Sequence, residues 1–184
     1  MILVMKLLAG IFLSLSLNNF GFSNQMLSDT FEDSPEQRWL YFADTVMGGR
    51  STGKVNFEQS GQTHYARLTG NVTTENNGGF IQIRKKISGL SKDIIGLRLE
   101  AKGNNQTYHV FLRTSGTILP WQYYKAEFAV KKTWRKLEIP IVNFERSSGF
   151  LSKKINPETI KSIGLVAFGR DFTADLMVSE VSFY

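Results

Sequence analysis

The 184-residue sequence contains no cysteine, only two histidines and only four prolines. Without cysteine there is no disulfide, no thiolate nucleophile and no cysteine-ligated zinc or iron–sulfur centre. With only His64 and His109 available, histidine-rich metal sites and serine–histidine–aspartate chemistry are hard to build. The sequence also lacks a Walker A loop, a nucleophile elbow and a zinc-binding His-Glu-x-x-His helix. These absences predict a protein that is not an enzyme and has no cofactor.

The acidic side chains do not restore a catalytic or metal-binding pattern. A glycosidase needs two paired carboxylates, and the loop candidates are not paired by their sequence spacing: Asp44, Glu75, Asp171 and Asp175. Hard oxygen ligands for a structural calcium are offered by Asp29, Glu32, Asp33 and Asp175, but no EF-hand-like spacing joins them. We therefore predict no catalytic residues and no metal site.

Positive charge exceeds negative charge, with a formal net charge of +6, but it is not gathered in one place. Three lysine doublets stand near the ends of apolar segments, at residues 85–86, 131–132 and 153–154. A nucleic-acid surface needs basic residues on one face, usually beside stacking aromatics. The scattered pattern is typical of solvated loops and strand ends, so we predict no nucleic-acid partner.

The first 23 residues have the order of a secretory signal peptide. Lys6 precedes an apolar run over residues 7–17, and small residues, Gly21 and Ser23, stand at the −3 and −1 positions of a cleavage site. The run is too short for a stable membrane-spanning helix. We predict a signal peptide over residues 1–23, a single domain over residues 24–184, and an exported protein, periplasmic or extracellular, with no stable membrane span after cleavage. An uncleaved membrane anchor is the alternative.

From residue 25 onward the apolar residues alternate, as in half-buried strands, and do not follow helical spacing. Tyr108, Val110 and Leu112 share one parity, and polar residues interrupt the other. The same pattern predicts strands at 55–58, 64–68, 80–83, 97–99, 108–112, 123–130, 137–139, 163–168 and 176–183. Short strands separated by glycine- and asparagine-rich turns predict an all-β, two-sheet β-sandwich, with a closed barrel as the alternative.

Two local features refine this pattern. The apolar parity changes between Val178 and Val181, which predicts a β-bulge near Ser179. Asn156 followed by Pro157 predicts one short helical turn with asparagine as its N-cap.

Two loop segments combine paired glycines with polar side chains. Asp44 and Arg50 flank the first pair, at residues 48–49, with a spacing that a tight turn could close. Glu75, Asn76 and Asn77 precede the second pair, at residues 78–79. Paired glycines permit positive φ and a close backbone approach. Two interpretations of the polar side chains remain open: a structural network that caps backbone groups, or contacts to a ligand.

Aromatic residues cluster at residues 121–124, which read Trp-Gln-Tyr-Tyr. Adjacent strand positions point to opposite faces, so one of Tyr123 and Tyr124 faces outward if the other packs inward. Trp121, directly after Pro120, is consistent with either exposure or burial, whereas Trp134 is predicted to be in the core.

These segments together resemble the complex I intermediate-associated protein 30 family over residues 31–183. The resemblance rests on Trp39, on the segments 44–51 (Asp-Thr-Val-Met-Gly-Gly-Arg-Ser) and 75–80 (Glu-Asn-Asn-Gly-Gly-Phe), and on later aromatic positions. It implies a galactose-binding-domain-like jelly-roll β-sandwich, which agrees with the strand pattern. Mitochondrial members of this family help to assemble respiratory complex I.

The resemblance and the residues together predict a non-catalytic binding protein. The leading hypothesis is a protein-binding chaperone or assembly-type factor whose partner could be a membrane-complex subunit, docked on aromatics and on Arg50, Arg84 and Arg113. The alternative is a carbohydrate-binding module of the cell envelope, in which aromatic rings stack on sugars. A flat patch favours the first and a cleft the second. The candidate binding residues are Asp44, Arg50, Glu75, Asn76, Asn77, Trp121 and Tyr124.

Overall fold

A computed structural model describes residues 28–184. The predicted signal peptide, residues 1–23, lies outside the described residues, as do the first positions of the predicted domain. Within residues 28–184 no helix has both the length and the apolar character needed to cross a membrane.

The described chain folds into strands joined by turns and five single-turn 3-10 helices. The strands are β1 (Ser28–Asp29), β2 (Trp39–Ala43), β3 (Thr52–Ser60), β4 (Thr63–Val72), β5 (Phe80–Lys86), β6 (Gly96–Gly103), β7 (Thr107–Thr114), β8 (Tyr124–Ala129), β9 (Arg135–Pro140), β10 (Glu145–Arg146), β11 (Ile160–Phe168) and β12 (Phe172–Phe183). Every predicted strand is confirmed.

The strands form two antiparallel sheets. The first sheet has the order β3-β4-β12-β6-β9, with β1 also pairing with β12. The second sheet has the order β10-β8-β7-β11-β5-β2. The two sheets pack face to face, so the predicted all-β sandwich of jelly-roll, galactose-binding-domain-like type is confirmed.

The core lies between the sheets and follows the parity of the sequence. Tyr108, Val110 and Leu112 of β7 are fully buried and face Leu97 and Leu99 of β6 across the same apolar cluster. Removing this apolar surface from water is the main favourable term in folding. No disulfide adds to the stability of the fold.

The two refinements are also confirmed. The register of β12 against β6 shifts between Val178 and Glu180, which is the predicted bulge. The Asn156 side chain accepts a hydrogen bond from the Glu158 amide at the start of a 3-10 turn that begins with Pro157.

One expectation about the core is wrong. Trp134 is only half-buried, because it lies on the outer face of the first sheet against Tyr65, with ring centroids 5.7 Å apart. Strand β2 was not predicted, because its sequence, Trp-Leu-Tyr-Phe-Ala, is apolar throughout and shows no alternation. On the outer face of this strand Phe42 lines a cleft, whereas Leu40 is half exposed.

Candidate functional site

A cleft of about 670 Å³ lies on the outer face of the second sheet. Because side chains alternate across a strand, residues whose neighbours fill the core point into this cleft. Gln82 and Arg84 alternate with the buried Ile81 and Ile83 on β5. On β7 and β11, and at the residue just before β8, the same alternation brings further residues to the cleft, namely Phe111, Arg113, Tyr123, Ser162, Gly164 and Phe168.

The middle of the cleft floor is formed by β11, which carries small residues there. Gly164 is paired with Arg84 on one side and with Phe111 on the other. A β-carbon at Gly164 would come within 2.9 Å of the Gln82 side-chain oxygen. The glycine therefore keeps the floor low and leaves Gln82 and the backbone open to a ligand.

Apolar side chains stand on both sides of the cleft. The loop between β7 and β8, residues 115–123 and here called the tryptophan loop, contributes Ile118 and Trp121. The turn between β2 and β3, residues 44–51 and here called the Asp44 turn, contributes Val46 and Met47. Trp121 is 61% exposed and Val46 71% exposed, which is unusual for such large apolar side chains.

The buried Gln122 side chain fixes the base of the tryptophan loop. Its oxygen accepts hydrogen bonds from the amides of Ile118 (2.9 Å) and Leu119 (3.0 Å). These two backbone donors would otherwise have no partner in a loop that leaves the sheet. One amide side chain therefore holds the exposed loop in shape.

Arg113 and Ser147 tie the same loop to the sheet. The Arg113 guanidinium donates to the carbonyl oxygens of Leu119 (2.8 Å) and Pro120 (3.0 Å). The Ser147 hydroxyl donates to the carbonyl oxygen of Trp121 (2.9 Å). Trp121 is therefore presented by a braced loop, which lowers the entropy that a ligand must remove on binding.

The Asp44 turn is built around its buried carboxylate. The Asp44 side chain accepts hydrogen bonds from the amides of Ser51 (2.9 Å), Gly79 (2.6 Å) and Phe80 (3.2 Å), and from the Ser51 hydroxyl. Burial raises the pKa of Asp44, but these hydrogen bonds outweigh it and hold the pKa below its usual value. For Asp44 this geometry favours a structural network over contacts to a ligand. Its side chain is fully buried and out of reach of a ligand.

The paired glycines are explained by the same carboxylate. One glycine of each pair has positive φ, Gly48 at +89° and Gly79 at +124°. The other two, Gly49 and Gly78, face Asp44 so closely that a β-carbon at either would overlap its side chain. Each pair therefore combines a turn with a close approach to Asp44, and together they join the two loops.

Among the polar residues of these loops, only Asn77 lines the cleft in the described part of the chain. Arg50 is not brought to Asp44; it pairs with Glu75 at 3.1 Å, and both side chains are exposed. The Asn76 side chain donates to the Gly48 carbonyl oxygen at 3.4 Å. Arg50, Glu75 and Asn76 therefore link the two loops from outside the cleft.

The tyrosine pair behaves as alternation requires. Tyr124 is 2% exposed and its hydroxyl donates to the Ser152 carbonyl oxygen, so this predicted binding residue lies in the core. Tyr123 faces outward and stacks on Phe111, with ring centroids 4.0 Å apart and planes 8° apart. Burial raises the pKa of Tyr123. The outward tyrosine of the cleft is therefore Tyr123.

Several cleft residues were not among the predicted site residues, namely Phe42, Phe80, Gln82, Ser162 and Gly164. A signal for some of them was present, because Phe80 and Gln82 have the parity opposite to Ile81 and Ile83. What the sequence lacked was a reason to prefer the outer face of this sheet over that of the other.

No aspartate or glutamate of residues 28–184 lines the cleft. The predicted loop carboxylates are instead used by the fold: Asp171 accepts from the Thr74 amide (2.7 Å) and hydroxyl, and Asp175 pairs with Arg67 on the first sheet. Buried His109 lies 3.3 Å from Glu127, and burial lowers its pKa.

One of the carboxylates that could offer oxygen ligands to calcium is likewise occupied. The Asp29 carboxylate is buried and accepts from Arg38, Lys85 and the Trp39 indole. Burial raises the pKa of Asp29, but these hydrogen bonds hold it well below its usual range. Across the described strands and loops, no three Asp, Glu or His side chains come together as metal ligands.

Comparisons with solved structures identify related folds. The family 11 carbohydrate-binding module of the cellulosomal cellulase Lic26A-Cel5E of Clostridium thermocellum has 14% identity and a TM-score of 0.69, covering 86% of this chain and 92% of that one. A structure of the Clostridium thermocellum family 11 module in complex with a β-1,3-1,4-mixed-linked tetrasaccharide has the same identity and TM-score, with 86% and 93% coverage. A family 30 carbohydrate-binding module has 11% identity, a TM-score of 0.53, and 72% and 91% coverage.

At these identities the likeness concerns the fold. No match was found among the curated proteins. The sequence model of the complex I intermediate-associated protein 30 family matches residues 28–177, which is most of the chain and includes both glycine-pair loops. The chain belongs to the complex I intermediate-associated protein 30 family.

Proposed function

We propose that this protein binds a carbohydrate chain in the cleft on the second sheet. The proposal rests on the combination of two exposed apolar walls with a polar floor. The floor is formed by the side chains of Gln82, Arg84, Arg113 and Ser162. A sugar ring has apolar faces and hydroxyl edges, and this arrangement matches both. The cleft volume of about 670 Å³ is that of an ordinary ligand site and suits a short run of sugar residues.

Trp121 is the central residue of this proposal. Its indole is 61% exposed at the edge of the cleft, on a loop braced by Gln122, Arg113 and Ser147. A rigid, exposed aromatic ring provides stacking area at a low cost in conformational entropy. Asn77, on the opposite side, supplies an amide that can donate to and accept from hydroxyl groups.

The structural relatives support the same conclusion. The similar fold of the family 11 module holds a mixed-linked tetrasaccharide, so a sandwich of this architecture can accommodate a glycan. The predicted export of the chain would bring it to the compartment where envelope and extracellular polysaccharides occur. The proposed activity is binding without turnover, because no carboxylate pair among residues 28–184 faces the cleft.

The protein-binding assembly role suggested by the family stays a prediction. Cleft shape was the discriminating feature, and a cleft with converging polar groups favours a small or chain-like ligand over a flat protein partner. Substitutions in the cleft test both hypotheses. Binding of a protein partner that contacts another surface would not change when cleft residues are replaced.

The test is a glycan array followed by affinity electrophoresis with polysaccharides on the purified protein. Trp121→Ala should weaken binding of the selected glycan about tenfold, or ~1.4 kcal/mol, because a stacking surface is removed without touching the core. Trp134→Ala, which removes an indole from the outer face of the first sheet, is the matched control and should leave binding unchanged. Glycan binding that Trp121→Ala does not alter would contradict the proposal.

A further inference from the structure

The cleft holds two arginines and no acidic residue. Arg84 projects from β5 and Arg113 from β7, with Gly164 of β11 between their strands. Neither guanidinium has a carboxylate within 4.0 Å anywhere in residues 28–184. The floor of the proposed binding site is therefore positively charged and not neutralised by the protein.

Arg84 is the less satisfied of the two. No acceptor in the described part of the chain takes a hydrogen bond from its guanidinium, which lies over the Phe42 ring at 4.3 Å from the centroid. Stacking on one face leaves the N–H groups at the guanidinium edge directed away from the ring and available to a ligand. Burial lowers the pKa of Arg84, the expected effect of placing a cation in a partly dehydrated cleft.

Arg113 is occupied on one side only. Two of its nitrogen atoms donate to the carbonyl oxygens that hold the tryptophan loop, and these neutral acceptors leave the charge uncompensated. Burial and the positive charge of Arg84 both lower the pKa of Arg113, so the two guanidinium groups repel each other. An anion in the cleft would relieve that repulsion.

Three other arginines that are at least partly shielded from solvent do have a carboxylate partner, whereas Arg146 donates only to backbone carbonyl oxygens. Arg38 contacts Asp29 at 2.9 Å, Arg67 contacts Asp175 at 2.9 Å, and Arg98 contacts Glu138 at 2.8 Å. A partly buried cation without a partner costs free energy in the unbound protein, and the cost is recovered when a ligand supplies the opposite charge. Arg84 and Arg113 are partly buried cations of this kind, without a carboxylate partner in residues 28–184.

We propose that the ligand is an acidic polysaccharide, and that Arg84 binds the carboxylate of a uronic acid residue in it. This inference rests on the proposed glycan-binding function and specifies the chemical class of the glycan. The planar guanidinium fork matches a carboxylate through two parallel hydrogen bonds, and Gly164 leaves room above the floor for the sugar that bears it. Arg113 adds positive charge and keeps Trp121 in place.

The experiment compares polygalacturonate with its fully methyl-esterified form, which keeps the same sugars and linkages and removes the charge. Affinity electrophoresis and calorimetry on the full chain should give at least tenfold tighter binding to polygalacturonate. Arg84→Gln should remove most of that preference, because the affinity for polygalacturonate should fall much more than the affinity for the ester. The matched control Arg98→Gln, which removes the same charge from the first sheet, should keep the preference. Circular dichroism and thermal melting check that both variants fold.

Three results would overturn the inference. Equal binding of the acid and the ester by the unaltered protein would mean that charge is not recognised, and the proposed glycan-binding function would still stand. An equal loss of preference in Arg84→Gln and Arg98→Gln would mean that net charge, and not the cleft, attracts the polymer. Binding of neither polymer, nor of any glycan on the array, would contradict the proposed function and this inference with it.

Discussion

The arginines on the outer faces of the two sheets differ in whether they have an acidic partner. On the first sheet, Arg67 and Asp175 form two hydrogen bonds of 2.9 and 3.0 Å, and Arg98 contacts Glu138 at 2.8 Å. Lys102 lies 4.8 Å from the centroid of the Trp134 ring. On the second sheet, Arg84 and Arg113 lack any acidic partner within residues 28–184.

This difference favours the second sheet as the face that binds a partner. A face whose arginines already pair with carboxylates gains little from an acidic ligand there, because the ligand must displace a partner that is present. A face with unpaired, partly dehydrated cations and exposed aromatics gains from both kinds of contact. The net charge of +6 contains none of this information, since it counts both faces together.

The largest expected effect concerns the wall of the cleft. Asp44→Ala would leave the amides of Ser51, Gly79 and Phe80 without their acceptor in a buried site. We expect a loss of about 3 kcal/mol in the free energy of unfolding, measured by urea denaturation, together with loss of glycan binding.

The neighbouring exposed pair provides the control for that change. Glu75→Ala removes the partner of Arg50, and both groups are largely solvated, so the free energy of unfolding should change by less than about 0.5 kcal/mol. Equal costs for Asp44→Ala and Glu75→Ala would contradict the central structural role of the Asp44 carboxylate.

A smaller effect is expected in the pH dependence of stability. The hydrogen bonds to Asp44 hold its folded-state pKa below the ordinary 3.8. Its contribution to stability is therefore complete above about pH 4 and is lost as the pH falls toward the folded-state pKa. Asp44→Asn cannot titrate, so the stability gap between the unaltered protein and this variant should narrow below about pH 4. Urea unfolding at several pH values measures the gap, and a constant gap would show that Asp44 does not carry the effect.

A small effect is predicted for the paired arginine of the first sheet. Arg67→Gln breaks a bidentate pair with Asp175, but both side chains are about a third exposed, so the cost in the free energy of unfolding should be about 0.5 kcal/mol. Binding of polygalacturonate should not change. A binding loss as large as that of Arg84→Gln would remove the distinction between the two faces.

Alternation predicted the fold well because one face of most strands meets the core and the other meets solvent. Tyr108, Val110 and Leu112 identified β7, and the parity change after Val178 located the bulge. Alternation does not predict β2, because apolar residues lie on both of its faces: Trp39 lies in the core, whereas Phe42 lines the cleft and Leu40 is half exposed. The apolar residue Phe42 on the outer face, which obscures the alternation, lines the cleft.

The candidate site was less predictable because it joins residues that are far apart in the sequence. Trp121 and Asn77 were selected for their loops, and both line the cleft. The prediction of Tyr124 as a binding residue is wrong, because alternation alone does not say which of two adjacent tyrosines faces the core. Arg84 and Arg113 were noted as part of a protein-docking patch, but their shared cleft depends on β11 lying between β5 and β7, which sequence order does not reveal.

The most direct test of the central claim is an NMR titration of the 15N-labelled protein with trigalacturonate. The account predicts shifts of the Trp121 indole and the Arg84 side-chain signals, with backbone shifts confined to β5, β7, β11 and the tryptophan loop. Shifts centred on Arg67, Arg98 and Trp134 of the first sheet, or no shifts with this ligand or with neutral oligosaccharides, would contradict it.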